Sequence, residues 1–230
     1  MAMPMGWWPQ QLLGAAAVAA WLLLLAGLAV QVRQRWNGQR EWSRKLVHIG
    51  TGAVVLIAWG CGIDRLVAIP AAATITLLAA LNHRLRILPA VEDVGRPSYG
   101  TVAYGASITA LLALAWPNQP AVVAAGVLVM ALGDGLAGLI GPLVRSPNWS
   151  VLGQRKSVVG TSAMAAGSLG ALLLVQHLAH GQGLPSPSLP ALLATAAIAT
   201  ALEQVALLGI DNLTVPITTG WLWQLWSSGS

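Results

Sequence analysis

Four groups of residues have the types and spacing to handle a phosphorylated ligand and a hard cation. Arg44-Lys45-Leu46-Val47-His48 sets two cations and an imidazole at the start of an apolar stretch. On a helix, Arg44 and His48, four apart, share a face, and together with Lys45 they suit a polyphosphate. The plainer reading is a basic stop signal beside a satisfied histidine. In Gly133-Asp134-Gly135-Leu136-Ala137-Gly138-Leu139-Ile140-Gly141 the glycines suit close helix packing. They leave Asp134 unexplained, and a carboxylate in apolar sequence is a natural Mg²⁺ ligand. Gly153-Gln154-Arg155-Lys156-Ser157-Val158-Val159-Gly160-Thr161 places cations and hydroxyls just before an apolar run. Backbone N–H groups at a helix start there are expected to help bind phosphate. It is not a P-loop, because Arg155 stands where that loop needs glycine before the lysine. Glu203 precedes Asp211-Asn212 and Pro216. Glu203 and Asp211, eight apart, could face one ion, and a capped helix end would account for Asp211-Asn212 but not for Glu203.

The elements that must position these groups are membrane helices. The chain has 230 residues, 56% hydrophobic and only 8% charged, against about a quarter charged in soluble domains. The expected fold is all-α: a polytopic bundle forming one domain over 1–230. About seven spans are expected, at roughly 12–30, 46–61, 66–81, 100–116, 121–140, 158–176 and 191–209. The segment 213–226 is apolar and Trp-rich but short, and Pro216 and Gly220 interrupt it. It is expected as an interfacial or re-entrant helix.

Eleven of the twelve Lys and Arg residues lie on alternate connections, and only Arg65 is on the other side. The positive-inside rule makes that basic side cytoplasmic and the N-terminus non-cytoplasmic. Arg33, Arg35, Arg84 and Arg86 are read as orientation signals. Glu41, Glu92, Asp93, Asp134, Glu203 and Asp211 map to the same side. The N-terminal run imitates a signal peptide, but arginines follow rather than precede it, so a retained helix is expected.

Other classes fall away on composition. The basic balance is spread over loops, not gathered into a nucleic-acid stripe. Cys61 is the single cysteine, so intramolecular disulfides and CxxC metal sites are excluded. Trp is abundant, mostly near span ends, and Phe is absent, which suits interfacial belts. His177 and His180 form an HxxH pair on the outer side, far from the other polar groups. No HExxH or GxSxG motif occurs.

In order along the chain, these segments resemble the polyprenol kinase family, which includes phytol and dolichol kinases. The resemblance is carried by Arg44-Lys45 with His48, Ser98-Tyr99-Gly100-Thr101-Val102-Ala103-Tyr104, and Gly133-Asp134 with Ala137 and Gly141. It continues in Lys156-Ser157 with Gly160-Thr161, and in Glu203 with Asp211-Asn212 and Pro216. Each piece is weak and the ordered set is specific. The short length looks like the phytol kinase branch. Two positions depart from the pattern: Thr161 stands where serine is more usual, keeping a hydroxyl, and Gly105 where proline is common.

The resemblance implies CTP-dependent phosphorylation of an isoprenoid alcohol, with phytol as the first expectation and geranylgeraniol, farnesol or dolichol as alternatives. In that reading Asp134, Glu203, Asp211 and Asn212 hold Mg²⁺. Arg44, Lys45, Arg155, Lys156 and Ser157 bind nucleotide phosphates, with Asp134, Lys156 and His48 as the catalytic set. The general base is His48 or a carboxylate. A prenyl alcohol arrives from the lipid bilayer and CTP from the cytosol, so the two meet at the interface. Two other classes stay open: a cytidylyltransferase making a CDP-lipid, and a transporter using Asp134 and Glu203 as ion ligands. The scarcity of polar residues in the outer half counts against the transporter.

Overall fold

The computed structural model describes residues 6–36, 40–85 and 99–228. Arg86, Glu92, Asp93, Arg96 and Ser98 lie outside them. The described chain is a helical bundle with one small hairpin. Its helices are α1 (Trp7–Arg35), α2 (Arg40–Gly60), α3 (Arg65–Leu85), α4 (Gly100–Ala115), α5 (Pro120–Ile140), α6 (Val158–Gly181), α7 (Leu189–Gln204) and α8 (Asp211–Ser227). Four of them, α1, α3, α5 and α6, are long and apolar enough to cross a membrane. Helices α4 and α7 are apolar but have 16 residues each.

Helix α5 is the centre of the bundle. Pro120 opens it, where a missing N–H costs nothing. Val123, Ala124, Ala125, Val129, Met130 and Ala131 are wholly buried. Its neighbours come close enough that glycine is required. A Cβ on Gly126 would meet the Pro216 carbonyl oxygen at 2.5 Å, and one on Gly220 would meet the Val122 oxygen at 3.3 Å. These two contacts set α8 antiparallel to α5.

The C-terminal segment therefore does not lie on the outside of the bundle as an interfacial helix, while packing inside the bundle is what a re-entrant helix requires. It is a 17-residue helix packed inside the bundle, with Val215, Thr219 and Trp223 buried. Pro216 and Gly220, which read as interruptions, are packing points. Pro216 still has a backbone effect: it withholds an N–H from the carbonyl of Asn212.

The middle of α5 widens into a π-helical segment, Val129–Asp134, before α-helix resumes to Ile140. Such segments disturb the regular carbonyl ladder and recur at functional sites. At the end remote from the basic loops, the helices are tied by polar contacts. Gln10 and Gln11 donate to the carbonyls of Cys61 and Gly62, and Trp116 Nε1 donates to the Ile63 carbonyl at 2.8 Å.

At the basic end, strands β1 (Asn148–Val151) and β2 (Gln154–Ser157) pair antiparallel through a two-residue turn. Leu152 and Gly153 have φ of 51° and 77°, the paired positive angles of a type I′ turn. The hairpin interrupts an otherwise all-α architecture.

Candidate active site

The basic ends of α2, α5, α6, α7 and α8, with the hairpin, enclose a cavity of about 1,230 Å³. Arg44, Lys45, Asp134, Arg155, Lys156, Ser157, Glu203, Asp211 and Asn212 all lie on its wall. Residues scattered from 44 to 212 thus converge on one space. His48 alone among the expected site residues is placed behind that wall.

Two lysines are held in the same way. Lys45 Nζ donates to Asp134 Oδ2 at 2.5 Å and to the Asp134 carbonyl at 3.1 Å. Lys156 Nζ donates to Glu203 Oε1, and to the Glu203 carbonyl at 2.8 Å. Each ammonium grips the side chain and the backbone oxygen of one acidic residue, Glu203 at the C-terminal end of α7 and Asp134 at the end of the π-helical segment inside α5. For Glu203 that helps satisfy a carbonyl a helix terminus leaves open, and in both pairs it neutralises a carboxylate too buried to stand alone. Glycine makes room for one of these lysines: a Cβ on Gly138 would collide with Lys45 Cε.

His48 Nε2 lies 3.1 Å from the Met130 carbonyl oxygen and 3.3 Å from Asp134 Oδ2. Both neighbours are acceptors, so this nitrogen carries a proton. The imidazole ring stacks on Tyr104 at 4.5 Å, and the Tyr104 hydroxyl donates to the Val127 carbonyl at 3.4 Å. His48 and Tyr104 thus support Asp134 from behind, and Met130 belongs to the π-helical segment that makes its carbonyl available.

The start of α6 differs from expectation. The Val158 N–H donates to the Pro147 carbonyl, that of Val159 to Ser146 Oγ, and that of Gly160 to Ser157 Oγ. With its first N–H groups already satisfied, this helix start has none of them free for phosphate. Ser157 is an N-cap, which accounts for its hydroxyl without a ligand.

Four residues on or behind the wall were not singled out from sequence. Gln204 Nε2 donates to Glu203 Oε2 at 2.8 Å and to Thr161 Oγ1 at 3.1 Å, so the retained hydroxyl at 161 has a partner. Arg145 and Trp42 also line the cavity. Arg145 had a signal in its basic loop, and Gln204 had only its place beside Glu203. Tyr104 had its place in the Ser98–Tyr104 segment.

Asp211 has no cation partner among the described residues, and its Oδ1 accepts from Asn212 Nδ2 at 3.2 Å. No cluster of three His, Cys, Asp or Glu side chains among the described residues forms a ready-made metal site. That donor set fits Mg²⁺ arriving with its ligand, since Mg²⁺ is usually held by one or two carboxylates plus substrate phosphates. A large cavity lined by paired lysines, arginines and carboxylates can accommodate a polyphosphate and stabilise charge moving along it.

No family model matches the chain, and no solved structure matches it. A curated phytol kinase from Synechocystis sp. (strain ATCC 27184 / PCC 6803 / Kazusa) is 44% identical over 179 residues, covering 77% of this chain and 76% of that one. With that identity over most of both chains, the chain belongs to the phytol and polyprenol kinase family, enzymes that phosphorylate an alcohol.

Proposed function

We propose that this protein transfers the terminal phosphoryl group of CTP to phytol, giving phytyl phosphate, at the cytoplasmic face of its membrane. The observation that carries this reading is the convergence of four separate charged motifs on one cavity at the basic end of an apolar bundle. A nucleotide reaches that end from water and a prenol reaches it from lipid. Phytol is the first choice of substrate because the relative described above is named for it.

In this mechanism Asp211 and Asn212, with Asp134 and Glu203 once their lysines turn away, would hold the metal. Mg²⁺ would supply neutralisation of phosphate charge there. Lys45 and Lys156 stand beside two of those carboxylates and can turn towards the phosphates as negative charge moves to the leaving group. Arg44 and Arg155 add donors from the rim. The alcohol proton passes to a carboxylate of the cavity wall, because His48 stands behind Asp134 with Nε2 already donating. The apolar span faces hold the prenyl tail. The bundle crosses the membrane seven times in its apolar stretches, with the N-terminus outside, and α8 sits within it.

Purified protein incubated with phytol, geranylgeraniol, farnesol or dolichol and either γ- or α-labelled CTP tests the reaction. Transfer of the γ label to phytol is the expected result. Transfer of the α label would make the enzyme a cytidylyltransferase instead, and label on dolichol alone would replace the substrate. For sidedness, single cysteines at 156 and 183 in a Cys61-free background should react from the cytosol and from outside respectively; the reverse would overturn the orientation.

A further inference from the structure

The cavity's charges are not equally available. Arg44 is engaged by Glu41, Lys45 by Asp134 and Lys156 by Glu203. What remains on the wall is Asp211 and the guanidiniums of Arg145 and Arg155. Neither arginine has a hydrogen-bond or ion-pair partner among the described residues. Without these two, the wall's carboxylates would outnumber its cations, and a polyphosphate would meet net repulsion. With them, the balance turns positive.

Both arginines are exposed, yet both are carried on anchored backbone. Arg145 immediately precedes Ser146 and Pro147, whose hydroxyl and carbonyl accept the first N–H groups of α6. Arg155 sits in the ladder opposite Ser150, in a hairpin whose short turn holds its register. A fixed backbone with a free, always-charged, bidentate donor is the arrangement that suits phosphate recognition. We infer that Arg145 is a polyphosphate ligand, acting with Arg155 as the docking point for the donor's phosphates before either lysine leaves its carboxylate. The inference rests on the proposed function for the identity of the donor, but not for the chemistry of the contact.

The same guanidinium chemistry would suit a lipid headgroup, and the exposed Leu143 and Val144 lie next to Arg145. The test therefore uses the full chain in neutral detergent micelles free of anionic lipid. Binding of inorganic tripolyphosphate with Mg²⁺ is followed by calorimetry for the wild type, Arg145→Gln, Arg155→Gln, the double variant and Arg145→Lys. Loss of one charged contact should weaken binding about tenfold, and loss of both about a hundredfold. Arg145→Lys should recover part of the loss, and melting temperatures should stay at the wild-type value. In turnover, the Arg145→Gln loss should fall on the nucleotide KM and not on the alcohol KM.

Tripolyphosphate affinity within twofold of wild type in Arg145→Gln would overturn the inference. So would an effect that appears only in vesicles containing anionic lipid, which would make the ligand a headgroup. If the wild type binds tripolyphosphate through these arginines yet phosphorylates no alcohol from CTP, the proposed function fails and this contact stands.

Discussion

Lys45 and Asp134 are 89 positions apart in sequence and joined by two hydrogen bonds from a single ammonium, one to the carboxylate and one to the backbone carbonyl. Lys156 and Glu203 repeat the arrangement 47 positions apart. Each pair locks the first part of α2 or the end of β2 to the π-helical segment of α5 or the end of α7. Each also neutralises its charges until something more strongly charged enters the cavity.

Separating charge from shape at Asp134 gives the first prediction. In Asp134→Asn the amide oxygen can still accept from Lys45, so the fold should persist. The anionic ligand is lost, and turnover should fall about a thousandfold, the scale seen when a preorganised electrostatic contact is removed. Lys45→Met should behave differently. It leaves Asp134 largely buried without its cation, which costs about 3–5 kcal/mol of stability. Turnover of purified protein, read beside its melting temperature, distinguishes the two. Near-normal turnover in folded Asp134→Asn would remove this residue from the mechanism.

The second pair should show stability and activity parting company. Lys156→Met alone leaves the buried Glu203 without its cation, with only the Gln204 amide still donating to it, and should lower the melting temperature. Adding Glu203→Gln removes the stranded charge, and neutral replacements of a buried pair are often close to isoenergetic. The double variant should regain most of the lost stability while staying inactive. A double variant as unstable as the single one would mean that the pair is not the source of the loss.

Much of this fold is legible in the sequence because lipid imposes simple rules. Each expected span coincides with a helix for most of its length, since backbone polar groups in a membrane must bond within their own segment. The hairpin was not legible. Its eight strand residues carry no alternating apolar pattern, and its turn places a leucine at positive φ where Asn or Gly would have signalled it. The packing of helix α8 was hidden for a different reason: Pro216 and Gly220 look like breakers, but only tertiary contact reveals that they admit a neighbouring backbone. In the site, Asp134 and Glu203 stood out because a charge inside apolar sequence needs a reason. Arg145 did not, because an arginine in a loop expected to face the cytoplasm already has one.

Gly138 offers a test of the site that replaces no charged residue. A methyl there would fall on Lys45 Cε and come within 2.7 Å of its Nζ. Lysine is flexible, so the helix should survive and the ammonium should move off Asp134. Gly138→Ala should therefore lower the melting temperature less than Lys45→Met does, because the ammonium stays nearby, and lose about tenfold in turnover, the cost of a small misplacement near the reacting atoms. Wild-type turnover in this variant would show that the position of Lys45 on Asp134 does not matter.

His48 supplies the last prediction, because its placement separates two roles. A general base must reach the proton it removes, and His48 is held behind Asp134, donating towards that carboxylate and the Met130 carbonyl. Its role on this geometry is to aim Asp134, with Tyr104 fixing the ring. In His48→Gln the side-chain amide can still donate, so turnover should fall only about tenfold, with the nucleotide KM little changed. His48→Leu, which can donate nothing, should fall further, towards the level of Asp134→Asn. The two roles also predict different pH profiles. A histidine base would add an acidic limb to the wild-type turnover curve, and that limb would vanish in His48→Gln. A positioning histidine leaves the two curves parallel. A limb present in the wild type and absent in the glutamine variant would return His48 to the position of base.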